Sequence, residues 1–145
     1  MKKLWILSLL CVSFLLSIDQ ISKHFFYNQE LFSGKFFFEP LFNPWISRGI
    51  SMPIAVTLII SLICLFFFIY LFYKKYLTFW EFSLFIAWTL GNLADRIFLW
   101  GVRDFIAIGN FPVFNIADIF LSVAVGLICL RELLHLQRNR KTLNR

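Results

Sequence analysis

Charge is scarce in this chain of 145 residues. Lys, Arg, Asp and Glu make up 15% of it, where a soluble domain carries about 25%. Hydrophobic residues fill 60% and aromatics 20%, and the mean hydropathy is +0.78, which excludes an ordinary water-soluble fold and puts the chain in a bilayer. Histidine is rarer still. His24 and His135 fall at opposite ends of the spans described below, so a His-based triad or a zinc cluster has no members, and no metal or cofactor is implied. The three cysteines, Cys11, Cys64 and Cys129, are odd in number and sit inside apolar runs, as small hydrophobes do, which argues against a disulfide framework. The net charge of +6 comes without a Lys/Arg stripe on any polar face, so a nucleic-acid partner is excluded. Internal repeats and low-complexity segments are absent as well.

What remains is apolar sequence in four runs. A membrane helix takes about 20 residues, and the runs predict spans over about 4–21, 52–73, 77–94 and 113–134 in a single integral domain, 1–145. Outer loops cover 22–51 and 95–112, and a basic tail covers 135–145. Cytoplasmic flanks collect Lys and Arg. Placing Lys2, Lys3, Lys74, Lys75 and Arg131 with the tail on one side leaves only Lys23, Lys35, Arg48, Arg96 and Arg103 on the other, so both termini are expected in the cytoplasm. Lys2-Lys3 before an apolar stretch also resembles a secretory signal, but no small-x-small cleavage site follows. Ser17-Ile18-Asp19 is a poor one, and the run reads as an uncleaved helix. The first outer loop holds Phe36-Phe37-Phe38, Glu39-Pro40 and Asn43-Pro44-Trp45, aromatic runs broken by proline that read as short strands or interfacial segments lying on the membrane surface.

The acids carry the functional signal. Asp19, Asp95, Asp104 and Asp118 lie at or between the outer ends of spans one, three and four. At about 1.5 Å of rise per residue, Asp19 stands roughly 22 Å above Leu4, Asp95 about 27 Å above Leu77 and Asp118 about 20 Å above Arg131. All reach one depth. Asp118 opens an apolar run, where an ionisable group is costly and marks function by default; Asp104 sits in the mostly apolar stretch Val102-Arg103-Asp104-Phe105-Ile106. Asn115-Ile116-Ala117-Asp118 also has the spacing of a helix start, and capping alone is a complete structural explanation for those residues. Two carboxyls held close cannot both ionise easily, so one keeps a proton while the other takes one from water. That pair suits peptide hydrolysis without a metal.

Four blocks together resemble one family: Asp19-Gln20-Ile21-Ser22-Lys23; Asn43 through Gly49; Gly91-Asn92-Leu93-Ala94-Asp95-Arg96; and Val102-Arg103-Asp104-Phe105 followed by Phe114-Asn115-Ile116-Ala117-Asp118. In order, span position and chain length they are similar to lipoprotein signal peptidase (signal peptidase II), the bacterial membrane aspartic peptidase. The resemblance implies an all-α membrane protein, a four-transmembrane-helix bundle with a small extracytoplasmic β-sheet from the first outer loop. It implies removal of the signal peptide from diacylglyceryl-modified prolipoproteins, just before the lipidated cysteine, at the outer face of the bacterial cytoplasmic membrane. Asp104 and Asp118 match the catalytic pair. Asn43, Asn92, Arg96 and Asn115 match residues that order the site or touch substrate, and Asp19, Lys23, Gly91 and Asp95 match structural positions. Arg96, read as just past the end of span three, is placed to bond a substrate carbonyl or to hold Asp95. The expected partners are the lipidated prolipoprotein and membrane lipids, with the protein a monomer. The chain departs from the family at Trp45, where glycine is usual, at Arg48, where an aromatic is usual, and at Ala87-Trp88, where a glycine pair is usual.

Two readings from other classes stand beside this one. A proton-coupled transporter subunit needs polar groups near the midplane, and there the spans offer Ser, Thr and Cys. A non-catalytic scaffold would use its acids only as caps.

Overall fold

Thr78 opens the helix on which the arrangement rests. Its hydroxyl accepts the Glu81 amide N–H at 3.4 Å and the Glu81 carboxylate accepts the Thr78 amide N–H at 2.7 Å, so two donors orphaned at a helix start are both satisfied. Arg131 reaches across to the same carboxylate at 2.6 Å. The structure, a computed structural model, describes residues 2–27, 37–44 and 53–143. Four helices lie within them: α1 (Lys2–Ser22), α2 (Ile54–Tyr73), α3 (Phe79–Leu99) and α4 (Ile116–Leu143).

Helix α3 packs against the other three. Its span is 56% buried, against 6% in α2 and 11% in α4. The sequence explains the difference: α3 buries Ser83, Ala87, Gly91, Asn92 and Asp95, small or polar groups that admit close neighbours. The outer helices instead present Leu9, Leu10, Phe14, Ile63 and Phe66 outward. Apolar surface on that scale is stable against lipid rather than water, and all four helices are long and apolar enough to cross a membrane. At one end Trp5 meets Phe72 and Phe82 edge-on, with centroids 4.8 and 5.7 Å away, while Phe72 and Phe82 stack at 4.0 Å. These rings tie α1 to the turn between α2 and α3.

At the opposite end a short sheet closes the bundle. Strand β1 (Phe38–Asn43) runs antiparallel to β2 (Val102–Ile106), pairing Leu41 with Asp104 and Asn43 with Val102. The register slips between Phe38 and Leu41, where Pro40 has no N–H to give to a ladder. A π turn over Lys23–Tyr27 extends α1 and carries Phe26, whose ring stacks on Phe38 at 4.7 Å and on Phe105 at 5.6 Å, clamping both strands to α1.

Among the described residues the first outer loop supplies one strand; its partner comes from the segment between α3 and α4. Val102–Ile106 is legible as a strand only once β1 lies beside it, because Arg103 and Asp104 interrupt its apolar run. Helix α3 also continues a full turn past Asp95-Arg96, since Ile97, Phe98 and Leu99 sustain it until Trp100 turns left-handed at φ 66°. Arg96 is therefore inside α3, not beyond its end. Helix α4 starts after Pro112 and Asn115 and runs past the apolar stretch to Leu143, through Arg and Gln residues that favour helix.

Candidate active site

Asp104 is held on β2, 3% exposed. Asn43, on the facing strand, donates from Nδ2 to Asp104 Oδ2 at 3.0 Å, and Asn115 donates from Nδ2 to Oδ1 at 2.7 Å. Asp118 lies in the first turn of α4. There it exchanges bonds with Asn115: the Asn115 amide N–H reaches Asp118 Oδ2 and the Asp118 amide N–H reaches Asn115 Oδ1, both at 3.2 Å. The capping expected from the sequence spacing is present, and Asn115 uses its remaining donors for more. Its Nδ2 also reaches Asn92 Oδ1 at 3.1 Å, and Asn92 Nδ2 reaches Asp118 Oδ1 at 3.1 Å. Asp104, Asn115, Asn92 and Asp118 thus form one connected set from β2, α3 and α4.

Partners that can only donate fix the direction of each amide in this set. A backbone N–H faces Asn115 Oδ1, so its Nδ2 must face Asp104. The Lys23 ammonium donates to Asn92 Oδ1 at 3.0 Å, so Asn92 must turn its Nδ2 to Asp118. Lys23 is itself fully buried, paired with Asp19 Oδ2 at 2.9 Å and Asp95 Oδ2 at 3.5 Å. Asp19 spends its other oxygen on the Ala117 amide N–H at 2.9 Å, where an anion favours the start of α4. This approach needs Gly91: a Cβ there would come within 2.5 Å of Asp19 Oδ2.

Arg103, not Arg96, holds Asp95. Its Nη2 meets Asp95 Oδ1 at 2.8 Å, its Nε and amide N–H both meet Oδ2, and Nη2 also reaches Gln20 Oε1 at 2.9 Å. Because α3 runs on, Arg96 points elsewhere: Nη1 bonds the Asn92 carbonyl at 3.2 Å, and the side chain borders a slot of about 110 Å³ between α2 and α3. The carboxyls of Asp104 and Asp118 open instead onto a cavity of about 310 Å³ shared with Leu41, Asn43, Phe111 and Phe114.

Burial pushes the Asp104 carboxyl up to about 6 from its ordinary 3.8. The Asp118 charge adds to the rise, while the donors Asn43 and Asn115 and the Lys23 charge oppose it. Trp88 Nε1 donates to Asp118 Oδ1 at 3.2 Å, a contact the sequence reading missed. A bulky aromatic amid small residues, one turn before Asn92, was the available signal. Trp45 and Arg48, the other departures from the family pattern, lie outside the described residues, as does Gly49.

A bundle of four membrane-competent helices with two aspartates facing one cavity at its sheet-bearing end defines a class of membrane-embedded protein with paired acids. The comparisons narrow that class. The sequence profile described as Signal peptidase (SPase) II matches residues 11–134. The chain belongs to the signal peptidase II family. It is 32% identical to a lipoprotein signal peptidase of Moorella thermoacetica over 138 residues, covering 87% of this chain and 92% of that protein. Shorter matches join it to lipoprotein signal peptidases of Dehalococcoides mccartyi, 56% identical over 46 residues (31% of this chain, 29% of the relative), and Caldicellulosiruptor bescii, 40% over 73 residues (49% of each). In these two matches the chain spans from about three tenths to about half of the relative's length. Two bacterial membrane enzymes solved by the in meso method superpose with TM-scores of 0.74 and 0.73 at 30% and 28% identity. The first covers 91% of this chain and 90% of the solved one, the second 88% and 92%.

Proposed function

We propose that this chain is an aspartic endopeptidase that removes the signal peptide from diacylglyceryl-modified prolipoproteins, cutting just before the lipidated cysteine. Family membership supports the substrate class. The observation that carries the chemistry is Asn115, whose one side-chain nitrogen joins Asp104 while its backbone and side-chain oxygen hold Asp118. A helix cap accounts for Asp118 alone; it gives no reason to bury Asp104 beside it.

In this reading Asp104 keeps its proton to a higher pH than an ordinary carboxyl. Asp118, surrounded by N–H donors, is the carboxylate that takes a proton from the attacking water. The hydroxide equivalent adds to the scissile carbonyl carbon as Asp104 protonates the carbonyl oxygen; the proton collected by Asp118 then passes to the departing amine as the C–N bond breaks, and a hydroxyl of the tetrahedral carbon returns its proton to Asp104 as the new carboxyl forms. The substrate is a membrane helix cut at the interface, and the cavity lies at the matching end of the bundle. We assign that end to the outer face of the bacterial cytoplasmic membrane, both termini to the cytoplasm, and the working unit to a monomer in contact with lipid.

The test is cleavage of a diacylated prolipoprotein by the detergent-purified protein. Asp104→Asn and Asp118→Asn are each expected to lose at least about a thousandfold in rate, the scale on which essential acid–base groups act. Full cleavage by either variant would refute the pair, and a non-catalytic scaffold whose acids only cap helices predicts no cleavage by the wild type either.

A further inference from the structure

The structure puts Trp88 against one member of the acid pair, Asp118. Trp88 and Asn92 stand four apart on α3 and share one face. Both donate to the same oxygen, Asp118 Oδ1, at 3.2 and 3.1 Å. The Asn115 amide N–H takes the other oxygen at 3.2 Å. An indole N–H has no acceptor side and cannot rotate its role. The ring is fixed as well: it meets Phe68 edge-on at 6.5 Å, and Phe68 stacks on Phe85 at 4.2 Å.

We propose that Trp88 is a positioning residue. Its indole N–H pins Oδ1 of Asp118 toward α3, which fixes the rotamer of the carboxylate and its aim into the cavity shared with Asp104. With glycine here, the carboxylate would be held by Asn92 and the backbone alone. The role rests on the peptidase reading for its effect on rate, while the bond itself does not.

Two measurements test it. Trp88→Phe keeps a ring against Phe68 and deletes the N–H. Its kcat for the diacylated prolipoprotein is expected to fall about tenfold with KM within twofold, the loss of about one hydrogen bond to a charged acceptor. Unchanged kcat, or a raised KM with kcat intact, overturns the role, the latter being the mark of a substrate contact. Independently of turnover, the indole N–H resonance that disappears in Trp88→Phe is expected to move in Asp118→Asn and to hold still in Arg131→Gln at the far end of the bundle. A resonance unmoved by Asp118→Asn overturns the bond. If the wild-type protein cleaves no lipidated substrate, the peptidase reading fails, and the resonance still decides whether Trp88 holds Asp118.

Discussion

Asp104→Asn is expected to destroy activity and stabilise the fold, and the two effects share a cause. A carboxyl that holds its proton to about pH 6 when folded, and to 3.8 when exposed, binds the proton more tightly in the native state. Protonated, it costs nothing. As pH rises from about 4 to about 6 the native state loses stability at about 1.4 kcal/mol per pH unit, about 3 kcal/mol in all, and stays at that lower level above pH 6. The neutral amide never ionises, so the variant gains about 3 kcal/mol over the wild type at pH 7 and nothing at pH 4. Hydrogen bonding permits the exchange. Asn115 cannot turn, so the new carbonyl oxygen keeps the bond from its Nδ2, and the new amide nitrogen faces the Asn43 side chain. Thermal unfolding in detergent across pH 4 to 8 is the assay. The apparent melting temperature of the variant is expected to exceed that of the wild type by about 5–10 °C at pH 7 and to match it at pH 4. A difference independent of pH, or a variant less stable at pH 7, would refute the reasoning.

Other expectations concern the support beneath the acids. Lys23→Met leaves Asp19 buried without its cation, while Asp95 keeps Arg103, and breaking such a buried pair costs about 3–5 kcal/mol. A melting temperature within two degrees of wild type would refute that account. Gly91→Ala drives a methyl toward Asp19 Oδ2, so it is expected to cost about 1–3 kcal/mol and to lower kcat by loosening the Asp19 bond to Ala117; equal stability and rate would count against it. Because the proposed proton path runs between carboxyls through water, EDTA is expected to leave the cleavage rate unchanged. Inhibition reversed by a divalent ion would overturn that path.

Part of the site is legible because its spacing is local. Asn115 and Asp118 stand three apart at a helix start, and the observed reciprocal bonds are what that spacing predicts. Asp104 was legible only by its oddity, an acid in an apolar stretch. Its partner Asn43 is 61 positions away in sequence, and no local pattern could join the two. Arg103 shows the same limit. The sequence reading put only Arg96 beside Asp95, and the extra turn of α3 gave that place to Arg103 instead, because each further residue swings a side chain by about 100° around the axis.

By itself, then, the sequence determined the solvent, the number of apolar spans and the acids that stand out, because hydropathy and helix periodicity are properties of neighbouring residues. Tertiary structure alone decided that β1 finds its partner beyond α3. It also decided that Lys23 is buried among Asp19, Asp95 and Asn92, and that Trp88 touches Asp118. Those contacts depend on how closely helices approach one another. That distance is set by the small residues of α3 and by the desolvated charges that must find partners once the helices have met.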